Sequence, residues 1–322
     1  MRGRVLTIAG LVVAGLLRPS LADVPRTPEP AAADLAEREA DAENLFREAL
    51  TVLTRAHEDA RALRAPASRA PDDGTERGLL VGPEWSPLVT TLGSLESKRL
   101  ASDPRWARLL VRQLATRGVG PGARVAASFS GSFPGLNLAV VAACRALGAR
   151  LVAISSVTAS TWGAAESGFT WPEMEARVVA AGVWPAVSAA VSIGGSRDSG
   201  ADLSPEGLAL ARRIQATAAS ALGAQRLETA SLDEAIQQRL EVYRRALGGD
   251  APRVYVNVGG NHASLGGAQA PLRHEEGWLT ALPPGADARA GVTHAYLSMG
   301  VPVLSLLNVR ALARDWGLEA ER

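Results

Sequence analysis

Cysteine is nearly absent. Cys144 is the only one in 322 residues, so no intramolecular disulfide forms, and the fold rests on a core that a chain of this length can supply. Histidine is scarce as well. His57, His262, His274 and His294 fall at none of the short spacings of metal-ligating pairs, so no metal site is expected, and no motif asks for a cofactor. Charge of one sign is missing: 34 Lys and Arg against 33 Asp and Glu leave a formal net charge of +1. That excludes the global electrostatic footprint of a nucleic-acid partner. Long hydrophobic runs are missing too, since the apolar stretch at 5–17 is short for the ~30 Å of a bilayer's hydrocarbon. What is present, 47% apolar and 21% charged residues, is the ordinary composition of a globular core, enough for one large domain or two small ones.

The first residues form an address label. Arg2 and Arg4 precede the apolar run, and Ser20-Leu21-Ala22 offers a small-x-small cleavage site, so residues 1–22 read as a signal peptide or, uncleaved, as a membrane anchor. Export to the periplasm or another extracytoplasmic compartment follows, with the membrane as a partner only where the segment is retained. Residues 23–78 form a second unit. Pro25, Pro28 and Pro30 make an extended tether, and residues 31–64 read as a charged helix, either a stalk or a layer lying on the main domain. Pro71-Asp72-Asp73-Gly74 turns the chain within the loop that closes this unit.

The main domain, 79–322, reads as an α/β layered fold with a mostly parallel sheet. Its organising stretch is 124–147: a short buried strand at 125–129, a turn at Ser130-Gly131-Ser132, then a helix with Pro134 in its first turn. A second buried strand at 151–157 completes one strand–helix–strand crossover. Strands are expected at 187–193, 253–258 and 301–307, with helices starting at Asp103-Pro104, Ser204-Pro205 and Ser231. In such sheets ligands gather beyond the carboxyl ends of the strands. The polar loops expected there hold Ser130, Gly131, Ser132 and Asn137; Ser155, Ser156 and Trp162; the Gly194–Asp198 segment; and Gly259, Gly260 and His262. Backbone N–H groups at the start of the helix after Ser132 would suit an oxyanion, carboxylate or phosphate.

The run Thr90-Thr91-Leu92-Gly93-Ser94-Leu95-Glu96-Ser97-Lys98-Arg99, the 128–137 turn, the Ile154-Ser155-Ser156-Val157 to Trp162-Gly163 stretch and Val256-Asn257-Val258-Gly259-Gly260 together resemble the bacterial poly-gamma-glutamate system protein family, from about residue 79 to the C-terminus. The resemblance implies an exported or membrane-tethered component that accompanies the enzymes making and exporting gamma-linked polyglutamate. Its partners would be the polymer or the synthase and export complex. It brings no catalytic residue. The chain departs from the expected small residues after Gly259-Gly260, where it has Asn261-His262.

Ligand-contacting candidates are Thr90, Thr91, Ser94, Lys98, Arg99, Ser130, Gly131, Ser132, Asn137, Ser155, Ser156, Trp162, Gly259 and Gly260, with Lys98 and Arg99 receiving carboxylates unless they sit on a solvated helix face. An alternative reading is a serine-dependent hydrolase or transferase. Ser130 or Ser132 would be the nucleophile, His262 the base, Asp198 or Asp202 the group orienting it, and the turn's amides an oxyanion hole. The turn lacks the glycines of Gly-x-Ser-x-Gly, so the serines also read simply as turn and cap residues. Trp162 and Trp171, near Phe169 and Pro172, read as a lid or partner surface against the default of core packing. His274 and His294 read as surface or core residues, and Cys144 as a buried one.

Overall fold

A computed structural model describes residues 32–63, 79–267, 270, 272 and 275–318. The signal or anchor segment, the proline tether and the loop at 64–78 lie outside the described residues, as does His274.

The elements run α1 (Ala32–Leu63), β1 (Val89–Thr91), α2 (Leu95–Ala101), α3 (Arg105–Ala115), β2 (Arg124–Phe129), α4 (Pro134–Ala146), β3 (Arg150–Ser156), β4 (Ala159–Ser160), α5 (Trp171–Ala180), β5 (Ser188–Ser192), α6 (Pro205–Leu222), β6 (Gln225–Arg226), α7 (Leu232–Ala246), β7 (Val254–Val258), α8 (His262–Leu265), β8 (Gly277–Leu279), α9 (Val292–Ser298), β9 (Val303–Leu306) and α10 (Val309–Asp315). Seven strands form the main sheet in the order β6-β5-β3-β2-β7-β9-β8. Every pairing is parallel except that of β8 with β9. β1 and β4 form a separate two-stranded parallel ladder.

Alternation along the strands divides the side chains between the sheet's faces. Val125, Ala127 and Phe129 of β2, with Val256 and Val258 of β7, pack against α1, α3, α4, α5 and α10. Ala126 of β2 and Tyr255 of β7 face α7 and α9, while α6 covers Val191 and Ile193 near the edge. α4 is buried from Pro134 through Cys144, which explains why its sequence lacks a polar stripe. Burial also pushes the Cys144 thiol up to about 12, so this cysteine is an inert packing group.

α1 lies on the domain. Ala42, Phe46, Ala49 and Leu53 are fully buried in the first core, and Glu39 accepts two hydrogen bonds from Arg112 of α3, at 2.6 and 2.7 Å. Of the two sequence readings of this helix, the packed layer is the one observed. The aromatic segment near residue 171 is no lid. Trp171 is fully buried at the first position of α5, which Thr170 and Glu173 open with a capping box. Its Nε1 donates to Ser155 Oγ at 2.9 Å. Ser155 in turn meets Ser188, which donates to the buried carboxylate of Glu175. Burial raises the Glu175 pKa, against the opposing effect of its hydrogen bonds.

Candidate functional site

The chain leaves β2 for β3 on one side and returns to β7 on the other, so the connections after β2 and β7 diverge at the carboxyl edge of the sheet. A cleft of about 210 Å³ opens there, lined by Thr90, Thr91, Ser130, Ser132, Ser156, Thr158, Ala159, Gly195, Ser196, Asp202, Gly260, Asn261 and His262. It gathers residues from each polar loop expected at this edge. The β1–β4 ladder brings Thr90 and Thr91 to the same wall.

Close backbone packing shapes the turn after β2. The Gly131 carbonyl accepts from Ala164 N at 2.8 Å, and a Cβ on Gly131 would sit 2.8 Å from the Thr158 carbonyl oxygen. Gly259, at φ +84°, would drive a Cβ to 2.9 Å from that of Ser130, so only glycine suits both its conformation and its space. Two of the turn's amides are bonded internally. Ser130 N donates to Val258 O at 3.3 Å and Ser132 N to Ser130 Oγ at 3.1 Å. The expected anion cradle of main-chain amides is therefore not formed by these two groups. What the turn offers the cleft is hydroxyls: Ser132 Oγ already accepts from Ser160 N at 3.0 Å, so its proton remains to be donated.

The opposite wall hangs on a buried ion pair. Arg239 and Asp198 are both fully excluded from solvent at their side chains, with Nε 2.8 Å from Oδ2. The guanidinium also donates to Ser128 Oγ at 3.1 Å and Ser192 Oγ at 2.7 Å. Burial works to discharge Arg239, and Asp198 beside it overcomes that, for a net upward shift. Asn261 Nδ2 donates to Ser156 Oγ at 3.0 Å, while its Oδ1 accepts from Ala263 N at 2.8 Å and caps α8. Arg197 and Asp198 hold left-handed conformations at φ +55° and +63°, costly for side-chain-bearing residues and kept by this network.

Asp198 thus belongs to Arg239 and does not orient His262. His262 Nδ1 accepts from Arg197 N at 3.4 Å, so this nitrogen is turned to the backbone and not to a carboxylate. Asp202, the one carboxylate on the cleft wall among the described residues, accepts from Ser196 N at 3.0 Å.

The other expected ligand contacts are dispersed. Ser94 is exposed and caps α2, accepting from Ser97 N. Arg99 is exposed. Asn137 is buried and donates to Ser130 O at 2.9 Å. Ser155 faces Trp171 on the other side of the sheet. Trp162 ties the chain to residues 82–83 through its backbone, and Gly131, Trp162 and Gly259 do not line the cleft. Lys98 is neither solvated nor in the cleft: burial leaves it 2% exposed, behind Ser132. His294 is fully buried, with no hydrogen-bond partner at either ring nitrogen.

Sequence reasoning missed Arg239 and, apart from Ser156, the polar row beneath the cleft. Ser192, Ser156, Ser128, Asn257 and Ser305 lie on neighbouring strands in the order β5, β3, β2, β7, β9, and all are buried. The signal was present, since each of these strands turns polar on one face near its carboxyl end.

No protein-family model, curated protein or solved structure matches the chain. The class is set by architecture and cleft alone: an α/β protein with a hydroxyl-lined site at its topological switch point. Among the described residues no cluster of three or more His, Cys, Asp or Glu side chains is arranged to hold a metal ion, and no helix is long and apolar enough to cross a membrane.

Proposed function

We propose that this chain is an exported accessory component of poly-gamma-glutamate biosynthesis and export, and that the switch-point cleft receives carboxylates of the polymer without cleaving it. The family resemblance carried by the 90–99, 128–137, 154–163 and 256–260 motifs supports the pathway. The observation supporting binding over catalysis is the state of the would-be triad. Asp198 is committed to Arg239, His262 Nδ1 accepts from the Arg197 backbone, and the amides of Ser130 and Ser132 are already bonded. Hydroxyl groups around a cleft hydrogen-bond an anion and by themselves activate no nucleophile.

The test uses the full chain, because α1 supplies Phe46 and Leu53 to the core and its removal would open that core. The chain is mixed with gamma-linked polyglutamate, binding is followed by equilibrium dialysis at low and high salt, and polymer length by gel filtration. Binding that weakens with salt while length stays constant is expected. Shortening of the polymer that disappears in Ser130→Ala or Ser132→Ala would instead establish the hydrolase reading.

A further inference from the structure

α2 exposes Glu96 and Arg99 but buries Lys98 between them and the turn after β2. The Lys98 ammonium donates to Ser132 O at 2.6 Å and Ser160 Oγ at 2.7 Å, and its Nζ stands 3.7 Å from the centre of the Phe133 ring. Each of these partners is neutral. A buried cation is costly unless an anion compensates it, and among the described residues none pairs with Lys98. On α10, Arg310 pairs with Glu96, and Arg314 with Asp315. α4 carries no charged residue before Arg145, and neither 130–133 nor 158–163 carries one. Asp202 and His262 belong to the cleft beyond. Burial alone lowers the Lys98 pKa, from 10.5 to about 7. Both groups that hold the ammonium belong to the cleft wall or abut it: Ser132 lines the cleft, and Ser160 N–H donates to the Ser132 hydroxyl.

We propose that Lys98 is the electrostatic selector of the cleft, a cation set behind Ser132 whose missing counter-ion is a carboxylate of the bound ligand. This rests on the carboxylate-binding reading above and deepens it. Lys98 acts through Ser132 and Ser160 without touching the ligand. A carboxylate held by the Ser132 hydroxyl favours the ammonium form, so binding in mildly alkaline solution draws a proton onto Lys98. A neutral or cationic ligand gains nothing from the arrangement.

The test is titration calorimetry of the full chain with a short gamma-linked glutamate oligomer and, separately, with glutarate, at pH 6 and 8.5. Each titration is run in two buffers of different ionisation enthalpy. For the unaltered chain the dissociation constant is expected to rise by about tenfold or more from pH 6 to 8.5, as a group titrating near 7 requires, with proton uptake at pH 8.5. Lys98→Met should bind weakly at both pH values. Lys98→Arg, whose guanidinium stays charged, should keep the affinity and lose the pH dependence that Lys98 supplies. A Lys98→Met chain that binds as tightly as the unaltered one with the same pH profile would overturn the proposal, and so would binding without proton uptake. Should Lys98→Met fail to fold, the pH profiles of the unaltered chain and Lys98→Arg decide alone. Glutarate binding with the expected profile while the oligomer does not bind would support the role of Lys98 and remove the polymer reading. Failure of both ligands to bind would sink both.

Discussion

Two buried cations, Arg239 and Lys98, flank the same cleft in opposite states. Arg239 has a carboxylate at 2.8 Å and serine hydroxyls at its remaining nitrogens. Lys98 has a carbonyl, a hydroxyl and a ring face, and no acid among the described residues. The first is a finished structural joint that holds Asp198, and with it the Gly195–Asp198 wall, in a conformation the backbone alone would avoid. The second is an unfinished one, and an uncompensated buried charge marks a place where a ligand supplies what the fold omits.

The comparison breaks most readily at the finished joint. Arg239→Met leaves Asp198 buried without its partner and is expected to cost about 3–5 kcal/mol in urea unfolding. Adding Asp198→Asn should recover part of that loss. If Lys98 were the same kind of group, its removal would be destabilising too, and the opposite is expected. The unfolded chain holds the Lys98 proton up to about pH 10.5, whereas the folded chain releases it at about 7. The cost is therefore fully present below pH 7 and fades as pH rises to 10.5, so stability from this group increases across that window. Lys98→Met should gain about 3 kcal/mol at pH 6.5, after discounting two lost hydrogen bonds, and little at pH 10. Thermal melts at the two pH values check both sign and window. A residue that weakens the fold at neutral pH and is needed for binding has the signature of function.

Smaller effects sharpen the assignment of each side of the sheet. Ser132→Ala is expected to weaken oligomer binding about tenfold, roughly 1.4 kcal/mol, and to lower stability by about 1 kcal/mol because the buried Ser160 N–H loses its acceptor. Ser155→Ala should leave binding intact and cost about 1 kcal/mol by stripping Trp171 Nε1 of its acceptor. Ser204→Ala, which removes the cap of α6 at a residue that does not itself line the cleft, should cost about 1 kcal/mol in denaturation.

Local rules made much of the fold legible. Ser204 and Ser231 cap α6 and α7 as their sequences foretell, and the crossover from β2 through α4 to β3 follows from alternation, a turn and a proline. The capping box at Thr170 and Glu173 was equally local, and the prolines and tryptophans around it obscured a helix start. The convergence of loops on one cleft was legible because parallel topology imposes it. The state of the charges was not. Arg239 sits on a helix of mostly polar residues, and only the meeting of β2, β3 and β5 beneath it makes it buried. Lys98 precedes an exposed Arg99, and nothing in that pair of letters says which one turns inward.

The most direct test of the central claim is a crystal structure of the full chain soaked with a short gamma-linked glutamate oligomer. A carboxylate within hydrogen-bond distance of Ser132 Oγ, with Lys98 Nζ still on the Ser132 carbonyl behind it, is the predicted result. An oligomer bound elsewhere, or a cleft holding only water at saturating concentration, would contradict the account.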